Sequence, residues 1–396
     1  MANDHQFPKL LYLADVPVEA SYHGSALIYR LLTGYPAARL RIIESNLMRS
    51  QPQRRLSKVS YAELRQGYRR LLNTRFNRWY GSWIMKTAGA RVGQLEKLLA
   101  DFKPEAVLTI THGFSWLTAA RFAEQNDLSL HLICHDDLPR VLHLLPSMTD
   151  WLDHEFGRVY CAAASRMCVS PFMRQAYAER YGSDGSVLYP SRSADCVEYK
   201  SPPDRLTEND HQFTVAFGGT INSPGYMRTL KSLAKVLEIV RGRLLIFGPL
   251  EAEAARQAGL DSSNIVLRGL VTSDELMKRL REEVDVLFVP MSFDPADEAN
   301  VKINFPSKLT DYTAVGLPLL IYGPPYCSAV RWARENPGVA EVVESESLDA
   351  LSYSVQRLAA EPAARLALGQ RALEVGRKYF ALEAVQQTFF QALLQP

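Results

Sequence analysis

The chain of 396 residues has few cysteines, little net charge and no long apolar run. Its five cysteines lack CxxC spacing and indicate buried thiols in a reducing compartment, with neither a disulfide framework nor a zinc site; they are Cys134, Cys161, Cys168, Cys196 and Cys327. A net charge of +2 argues against a general nucleic-acid binder. No apolar run could span a bilayer and the first residues do not resemble a signal peptide, so we expect a cytoplasmic protein.

The sequence instead alternates short apolar runs with helical stretches, which is typical of parallel α/β sheets. Six strand candidates come before residue 200: KLLYLADV, RLRIIES, AVLTIT, LHLICHD, RMCVS and SVLYP. After a polar, proline-containing stretch follow FTVAFGG, LLIFG, NIVLRG, VDVLFVP, LPLLIYG and AEVVE. The length exceeds one typical core, so we predict two doubly wound Rossmann-like domains, at 1–199 and 200–379, that face each other across a cleft.

The segment 284–323 contains an apolar strand, a polar loop and then FPSKLTDYTAVGLPLLIYG. This order predicts a helix that begins near Pro306 and Ser307, whose free backbone N–H groups suit a phosphate. Lys308 and Asp311 lie in or near its first turn, where a cation and a carboxylate could reach the same ligand. The segment therefore predicts a nucleotide site, although an ordinary strand–helix–strand unit would show the same local features.

The same segment resembles the donor-binding signature of glycosyltransferases with the GT-B fold, in particular glycosyltransferase family 4, also called glycosyl transferases group 1. Many of these enzymes carry a PSK–x–x–E/D–Y–x–x–x–G–x–P run, and the matching residues are Pro306, Ser307, Lys308, Asp311, Tyr312, Gly316 and Pro318. The resemblance implies that Asp311 holds the ribose of a nucleotide and that Lys308 lies near the diphosphate or the base. It also implies that a final helix at about 380–396 packs back on the first domain.

One part of the family pattern is missing. Retaining members commonly carry a glutamate eight positions before the residue that Asp311 matches, and this chain has Ile303 there. The nearest substitute is Asp294, which lies in a longer loop. We therefore include Asp294 among the donor-binding candidates.

Histidines and a glycine follow the strands of the first half, at the sheet edge where such folds bind ligands. His23 and Gly24 lie in the loop after the first strand, where glycine lets a ligand approach the backbone. The helix start there could face a donor phosphate or an acceptor, and we assign both residues to the acceptor side. His112 follows AVLTIT, and His135 with Asp136 follows LHLICHD. The second element resembles a T–x–H–D element of the transferases, in which the histidine approaches the reacting sugar. Because imidazole exchanges protons near neutral pH, these three are the catalytic candidates, with a structural role as the alternative.

Three strand ends of the second half supply further donor-binding candidates. Glycines after the strand FTVAFGG permit close approach to a pyrophosphate, but they form no full dinucleotide fingerprint. Related transferases often carry an arginine and a Lys–Gly at this turn, and here Arg228, inside the following helix, and Lys302 or Lys308 from elsewhere are the candidate replacements. At the other two ends, the family commonly seats the nucleobase. The predicted donor-binding residues are Gly218, Gly219, Thr220, Phe247, Gly248, Arg268, Gly269, Asp294, Lys302, Ser307, Lys308 and Asp311.

Residues 49–91 are strongly basic, with eleven lysines and arginines against one acid, Glu63. Aromatic residues are interleaved with the cations. Such a segment could lie on an anionic membrane surface or bind a lipid-linked acceptor. It could equally be a helical face that packs on the first domain and leaves its arginines in water.

Together these patterns predict a membrane-peripheral glycosyltransferase in cell-surface polysaccharide or glycoconjugate synthesis. It would move a sugar from a nucleotide diphosphate sugar to a hydroxyl of a glycan or glycolipid. No cofactor or metal is expected, because a DxD element is missing from the family-typical place. The alternatives are a nucleotide-sugar epimerase or hydrolase of the same fold and a non-catalytic nucleotide- or glycan-binding protein.

Overall fold

The computed structural model of the protein describes residues 7–21, 23–208, 210–221 and 223–395, and of His23 it describes only the backbone. The chain divides into two compact units, Met1–Ser191 with Leu382–Pro396, and Arg192–Ala381. Arg192 already belongs to the second unit, because its amide donates to the Phe380 carbonyl at 2.9 Å and its guanidinium to the Thr313 hydroxyl at 3.2 Å. Among the described residues, no helix is long and apolar enough to cross a membrane.

The first unit is built on a sheet of seven strands in the order β3-β2-β1-β4-β5-β6-β7, in which every neighbouring pair is parallel. The strands are β1 Leu10–Ala14, β2 Leu40–Ser45, β3 Ser60–Leu64, β4 Ala106–Ile110, β5 Ser129–Cys134, β6 Ser165–Cys168 and β7 Ser186–Val187. Strands β1 and β4 are buried along their whole length, as expected for central strands that helices cover on both faces.

Nine α-helices belong to the described part of the first unit. They are α1 His23–Leu32, α2 Arg69–Leu72, α3 Asn77–Lys86, α4 Val92–Leu98, α5 Ser115–Gln125, α6 Leu138–Val141, α7 Thr149–Ala162, α8 Pro171–Tyr181 and, from the end of the chain, α17 Leu382–Leu393. Helix α17 buries Val385, Phe389 and Leu393 in the same apolar cluster as residues of β1 and β2. Burial of these side chains explains why the end of the chain belongs to the first unit.

The second unit repeats the arrangement with six parallel strands in the order β10-β9-β8-β11-β12-β13. The strands are β8 Thr214–Gly218, β9 Arg243–Phe247, β10 Ile265–Gly269, β11 Val286–Pro290, β12 Leu319–Tyr322 and β13 Ala340–Val343. Its helices are α9 Pro224–Ile239, α10 Ala252–Gln257, α11 Ser273–Glu283, α12 Glu298–Ile303, α13 Lys308–Tyr312, α14 Ser328–Glu335, α15 Leu348–Ala360 and α16 Pro362–Phe380. Short 3-10 turns lie at Ala37–Arg39, Pro52–Arg54, Ala88–Arg91, Pro146–Met148, Asp204–Thr207 and Pro295–Asp297.

One strand of the first sheet was not predicted from the sequence. Strand β3, with the sequence SYAEL, lies inside the basic segment 49–91 and pairs with β2 at the edge of the sheet. Four of its five residues are exposed or half-buried, so it lacks the apolar run that identifies a central strand. The basic segment is therefore not one helical face but a strand followed by two helices.

Candidate functional site

The two sheets share a topological feature that locates the candidate site in each unit. In the first sheet the strand order reverses between β1 and β4, and in the second it reverses between β8 and β11. Doubly wound sheets bind ligands beyond the carboxyl ends of the strands at such a switch point. The residues after these four strands are therefore the ones to consider first.

At the first switch point Asp15, which follows β1, is buried and holds the start of helix α5. Its carboxylate accepts hydrogen bonds from the Phe114 amide, from the Ser115 amide at 3.0 Å and from the Ser115 hydroxyl at 2.7 Å. The chain reaches this position through Gly113, at φ +63°, where a Cβ atom would lie 2.3 Å from the carboxylate. Asp15 thus occupies the amide-rich end of α5, and that helix start is taken by the protein itself.

The three catalytic candidates lie together just beyond β4 and β5. The Nδ1 atom of His112 is 3.4 Å from Oδ2 of Asp136, and the Nε2 atom of His135 is 3.3 Å from the same oxygen. The two ring nitrogens are 3.3 Å apart. One carboxylate therefore faces two imidazoles, and a proton can be shared among the three side chains.

The surroundings shift the pKa values of the two imidazoles in opposite directions. The hydrogen bond that the His112 imidazole donates to the Asp136 carboxylate raises the pKa of His112, whereas burial lowers the pKa of His135. The side chain of His135 is 15% exposed and that of His112 is 40% exposed. The two shifts therefore favour a neutral His135, able to accept a proton, beside a His112 that keeps its proton to a higher pH.

Gly24 closes one side of this cluster. A Cβ atom at Gly24 would lie 3.2 Å from Cε1 of His135, so a larger residue would press on the imidazole. Gly24, predicted for the acceptor side, is thus beside the predicted catalytic histidine. The side chain of His23, the other acceptor-side prediction, lies outside the described residues.

The same three side chains are the group in this region with a geometry suited to a metal ion. Their ligand atoms lie within 4.8 Å of one another, and imidazole nitrogens with a carboxylate oxygen are common zinc ligands. Asp137, the next residue, has a different role. It is buried and forms two hydrogen bonds with Arg180, at 2.9 and 3.0 Å, so it fixes helix α8 and not the cluster.

At the second switch point the backbone of β8 meets helix α13. Tyr312 accepts a hydrogen bond from the Gly218 amide at 2.6 Å and is buried. Gly219 has φ +128°, and a Cβ atom there would lie 2.8 Å from Cε of Lys308. The positive φ favours glycine at this position, and a side chain there would push Lys308 away from the strand end.

Lys308 supplies a positive charge at this turn. Its Nζ atom lies 5.0 Å from the centre of the Phe217 ring, and burial lowers its pKa to about 8. Among the described residues, it forms no ion pair with a carboxylate. A half-buried ammonium group without a carboxylate partner, next to a glycine backbone, is suited to receive an anion.

The two further strand ends are also close to this turn. Gly248, after β9, has φ +157°, and a Cβ atom there would lie 2.4 Å from the Gly219 carbonyl oxygen. The Gly248 amide donates to the Gly269 carbonyl at 2.9 Å, which ties β10 to the same place. The structure thus brings Gly218, Gly219, Gly248, Gly269 and Lys308 together.

Other predicted donor-binding residues have partners of their own or point elsewhere. Arg268 forms an ion pair with Glu283. The Asp294 carboxylate pairs with Arg228 at 2.8 Å, and it also accepts from the Ala296 amide at 3.0 Å, as an N-cap does. Phe247 is buried in the sheet. The exposed members of the predicted set are Thr220, Lys302, Ser307 and Asp311.

Sequence reasoning missed two residues that build these sites. Asp15 belongs to no sequence motif, and its role in capping helix α5 depends on amides about 100 residues away in the sequence, those of Phe114 and Ser115. Tyr312 was part of the quoted motif but was assigned no function, and the structure shows it bonding to the backbone of β8. The helix predicted near Pro306 and Ser307 is α13, which is only five residues long.

The comparisons with known proteins place the fold. No protein-family model matches the chain, and no curated protein sequence matches it. Among solved structures, HepE of Anabaena in complex with UDP is similar at 12% identity and a TM-score of 0.68, over 97% of this chain and 99% of that chain. Sucrose-phosphate synthase of Thermosynechococcus elongatus is similar at 15% identity and a TM-score of 0.69, over 96% of this chain and 97% of that one.

A third similar structure is the alpha,alpha-trehalose 6-phosphate synthase of Burkholderia multivorans, at 16% identity and a TM-score of 0.66, over 97% of this chain and 96% of that chain. At such low identities these similarities establish the fold and not the activity. The predicted α/β architecture of two doubly wound, Rossmann-like units is confirmed, since the similarity extends over nearly the whole of each chain.

Proposed function

We propose that this chain is a glycosyltransferase that moves a sugar from a nucleotide diphosphate sugar to a hydroxyl of a glycan or glycolipid acceptor. The observation that carries the proposal is the turn after β8, where Lys308 lies against Gly219 without a carboxylate partner among the described residues. Glycine backbone and a half-buried cation together form a site for a diphosphate.

The chemistry of glycosyl transfer needs such a cation. The bond between the anomeric carbon and the diphosphate oxygen breaks, and a bond from that carbon to the acceptor oxygen forms. Negative charge then grows on the departing diphosphate, and a fixed cation stabilises it most in the transition state. Lys308 supplies that charge, and the exposed Asp311 is proposed to hold the ribose hydroxyls, with Ser307 beside it.

The cluster after β4 and β5 is proposed to act on the acceptor. The hydroxyl that attacks must lose a proton, and His135, whose pKa is lowered by burial, is a neutral acceptor for it. Asp136 orients both imidazoles, and His112 stores a proton beside them. Gly24 leaves the space in which an acceptor hydroxyl would approach.

The solved structures support a uridine donor without establishing it. HepE of Anabaena is seen in complex with UDP, and its structure is similar over 97% of this chain. UDP-sugars are therefore the first donors to test. A role in polysaccharide or glycoconjugate synthesis inside the cell is part of the proposal.

Calorimetric titration with UDP, GDP and dTDP tests the donor site. We expect one of them to bind wild-type protein and to bind Lys308→Gln at least tenfold more weakly. Two matched variants serve as controls: Lys302→Gln removes the other candidate cation, and Lys235→Gln removes an exposed lysine of helix α9. A wild-type protein that binds no nucleotide, or a loss that occurs in Lys302→Gln instead, would contradict the proposed site.

Donor consumption separates the proposal from its alternatives. The wild-type protein should release nucleoside diphosphate from the matching sugar donor only when a hydroxyl acceptor is present. Consumption or interconversion of the donor alone would indicate a hydrolase or an epimerase. Tight binding without any consumption would indicate a non-catalytic binding protein.

A further inference from the structure

The first unit carries a surface patch that the proposed reaction does not use. Five large apolar side chains on and around helices α2 and α3 are between 40% and 58% exposed; we call them the hairpin patch, and they are Tyr68, Leu71, Phe76, Trp79 and Trp83. Isolated exposed apolar residues are common on proteins, but a contiguous group marks an interaction site.

The members of the hairpin patch lie side by side. Phe76, at the N-cap of α3, and Trp79 and Trp83 within it are spaced three and four residues apart, so they form one stripe on the helix surface. Leu71 of α2 lines one shallow groove together with Phe76, Trp79 and the edge of Tyr80. Leu71, Phe76, Trp79 and Trp83 therefore form one apolar surface, and Tyr68 lies directly before α2.

The hairpin patch is held in place by the core beneath it. On the opposite face of α3, Tyr80, Ile84 and Met85 are buried. The Tyr80 hydroxyl accepts a hydrogen bond from the Tyr68 amide at 2.8 Å, and the Ser82 hydroxyl accepts one from the Leu145 amide at 2.9 Å. The buried face thus holds the helix, and Phe76 and Trp79 are presented on a fixed support, whereas Trp83 also stacks on the Tyr80 ring.

The charges along the segment that carries the patch all have one sign. Between Glu63 and Glu96 the sequence contains seven lysines and arginines and no acid. Six of these cations are exposed, and within the described part of the chain none of the six forms an ion pair; they are Arg65, Arg69, Arg70, Arg75, Arg78 and Lys86. Two of them lie over patch rings, with Arg65 at 5.2 Å from the Tyr68 centroid and Arg75 at 5.0 Å from the Phe76 centroid.

We propose that the hairpin patch docks the protein on an anionic bilayer surface, with Phe76 and Trp79 inserted among the lipid headgroups and the surrounding arginines against lipid phosphates. The patch meets both requirements of such a surface: apolar and indole side chains that favour the interface, and cations attracted by its negative potential. A protein partner would have to be acidic over the same area, and a nucleic acid would leave Leu71 and the other apolar side chains without a partner.

This proposal is independent of the donor site, because it can be tested without nucleotide. The test is flotation of the full-length protein with vesicles of phosphatidylcholine alone or with phosphatidylglycerol added. We expect binding only to the anionic vesicles, weaker at higher salt because added ions screen the attraction. Equal flotation with both lipids, or with neither, would overturn the proposal.

Two sets of variants identify the surface. Phe76→Ala with Trp79→Ala should reduce binding at least tenfold, whereas Tyr353→Ala, at a residue 70% exposed on helix α15, should not change it. Replacing Arg69, Arg70 and Arg78 by glutamine should weaken binding by about fivefold per charge removed. The matched control replaces the exposed lysines Lys231, Lys235 and Lys278 of the second unit by glutamine and should bind as wild type does.

Tryptophan fluorescence shows whether the rings enter the bilayer. Trp79 and Trp83 are exposed, Trp151 is half-buried, and Trp116 and Trp332 are fully buried, so a blue shift on vesicle binding should come mainly from the first pair. The variant Trp79→Phe with Trp83→Phe should still bind but lose the shift. If the exposed tryptophans stay accessible to acrylamide on the vesicle, or if the patch variants instead dissociate a dimer in solution, the proposal is wrong.

Discussion

Replacement of Lys308 by methionine tests the physical reasoning behind the donor site most directly. Methionine keeps most of the length and the apolar stem of lysine, so contact with Phe217 and Gly219 is retained while the charge is removed. In the protein without ligand, the charge of Lys308 is only partly solvated and has no carboxylate partner among the described residues. We therefore expect the methionine variant to be more stable than wild type and unable to bind the donor.

The magnitude follows from the pKa of Lys308, which burial lowers from 10.5 to about 8. One unit of pKa corresponds to about 1.4 kcal/mol, so the full shift is an upper bound of about 3 kcal/mol. The side chain is half-buried and solvent screens part of that effect, which leaves roughly 1–2 kcal/mol. For a unit of this size, such a change raises the melting temperature by roughly 2–8 °C.

The pH dependence of stability gives an independent check on the sign of the Lys308→Met effect. Because the unfolded chain holds the Lys308 proton up to a higher pH than the folded protein, wild type gains stability as pH rises from about 8 to 10.5. The methionine variant lacks this gain. The stability difference between them should therefore be complete at pH 7 and shrink towards pH 10.5.

Thermal unfolding with and without the nucleotide that calorimetry identifies is the assay. Ligand that binds only the folded state should raise the melting temperature of wild type and leave the Lys308→Met variant unchanged. Lys302→Met is the control and should show neither effect. A Lys308→Met protein that melts below wild type at pH 7 would show that the lysine is already compensated in the free protein, and the argument for an anion site would fail.

Three more expectations concern the other candidate residues. His135→Ala should leave nucleotide affinity unchanged and reduce the rate of transfer at least a hundredfold. The wild-type rate should rise with pH through an apparent pKa below 6.5 and fall through one above 6.5. Asp136→Asn should move the upper pKa to lower pH, and an unmoved upper pKa would show that Asp136 does not stabilise protonated His112. Transfer should be unchanged after chelator treatment and dialysis, whereas a loss restored by zinc would show that the cluster of His112, His135 and Asp136 holds a metal. Asp311→Ala should weaken nucleotide binding about tenfold in calorimetry, and an unchanged affinity would remove Asp311 from the ribose site.

The sheets were predictable because their central strands are mostly apolar. β1, β4, β8 and β11 are each buried at every position, and a short apolar run between two helical stretches is typical of a strand that is covered on both faces. Strand β3 was missed because an edge strand is covered on fewer sides and needs no such run. The short apolar run in the sequence reflects burial of a strand on both faces, and not strand formation itself.

The candidate sites were predictable only in part, because spacing along the chain does not show which partner a charged side chain has. His112, His135 and Asp136 were found since all follow central strands and therefore lie at one edge of the sheet. Arg268 lies near the end of β10 and Asp294 lies after β11, but they are paired with Glu283 and Arg228, which no local pattern indicates.

The partners of Arg268 and Asp294 change what the donor site can be. A carboxylate and a guanidinium that satisfy each other would have to separate before either could bind a ligand, and the cost of separating them offsets the favourable energy of ligand binding. Of the candidate cations, Lys308 near Gly219 is then the one that would stabilise the diphosphate. A lysine whose pKa is about 8 loses its charge just above neutral pH, whereas an arginine would keep it. Donor affinity in this protein should therefore decline above pH 8, by up to about tenfold for each pH unit, and the decline should disappear in Lys308→Arg if the longer side chain still reaches the ligand.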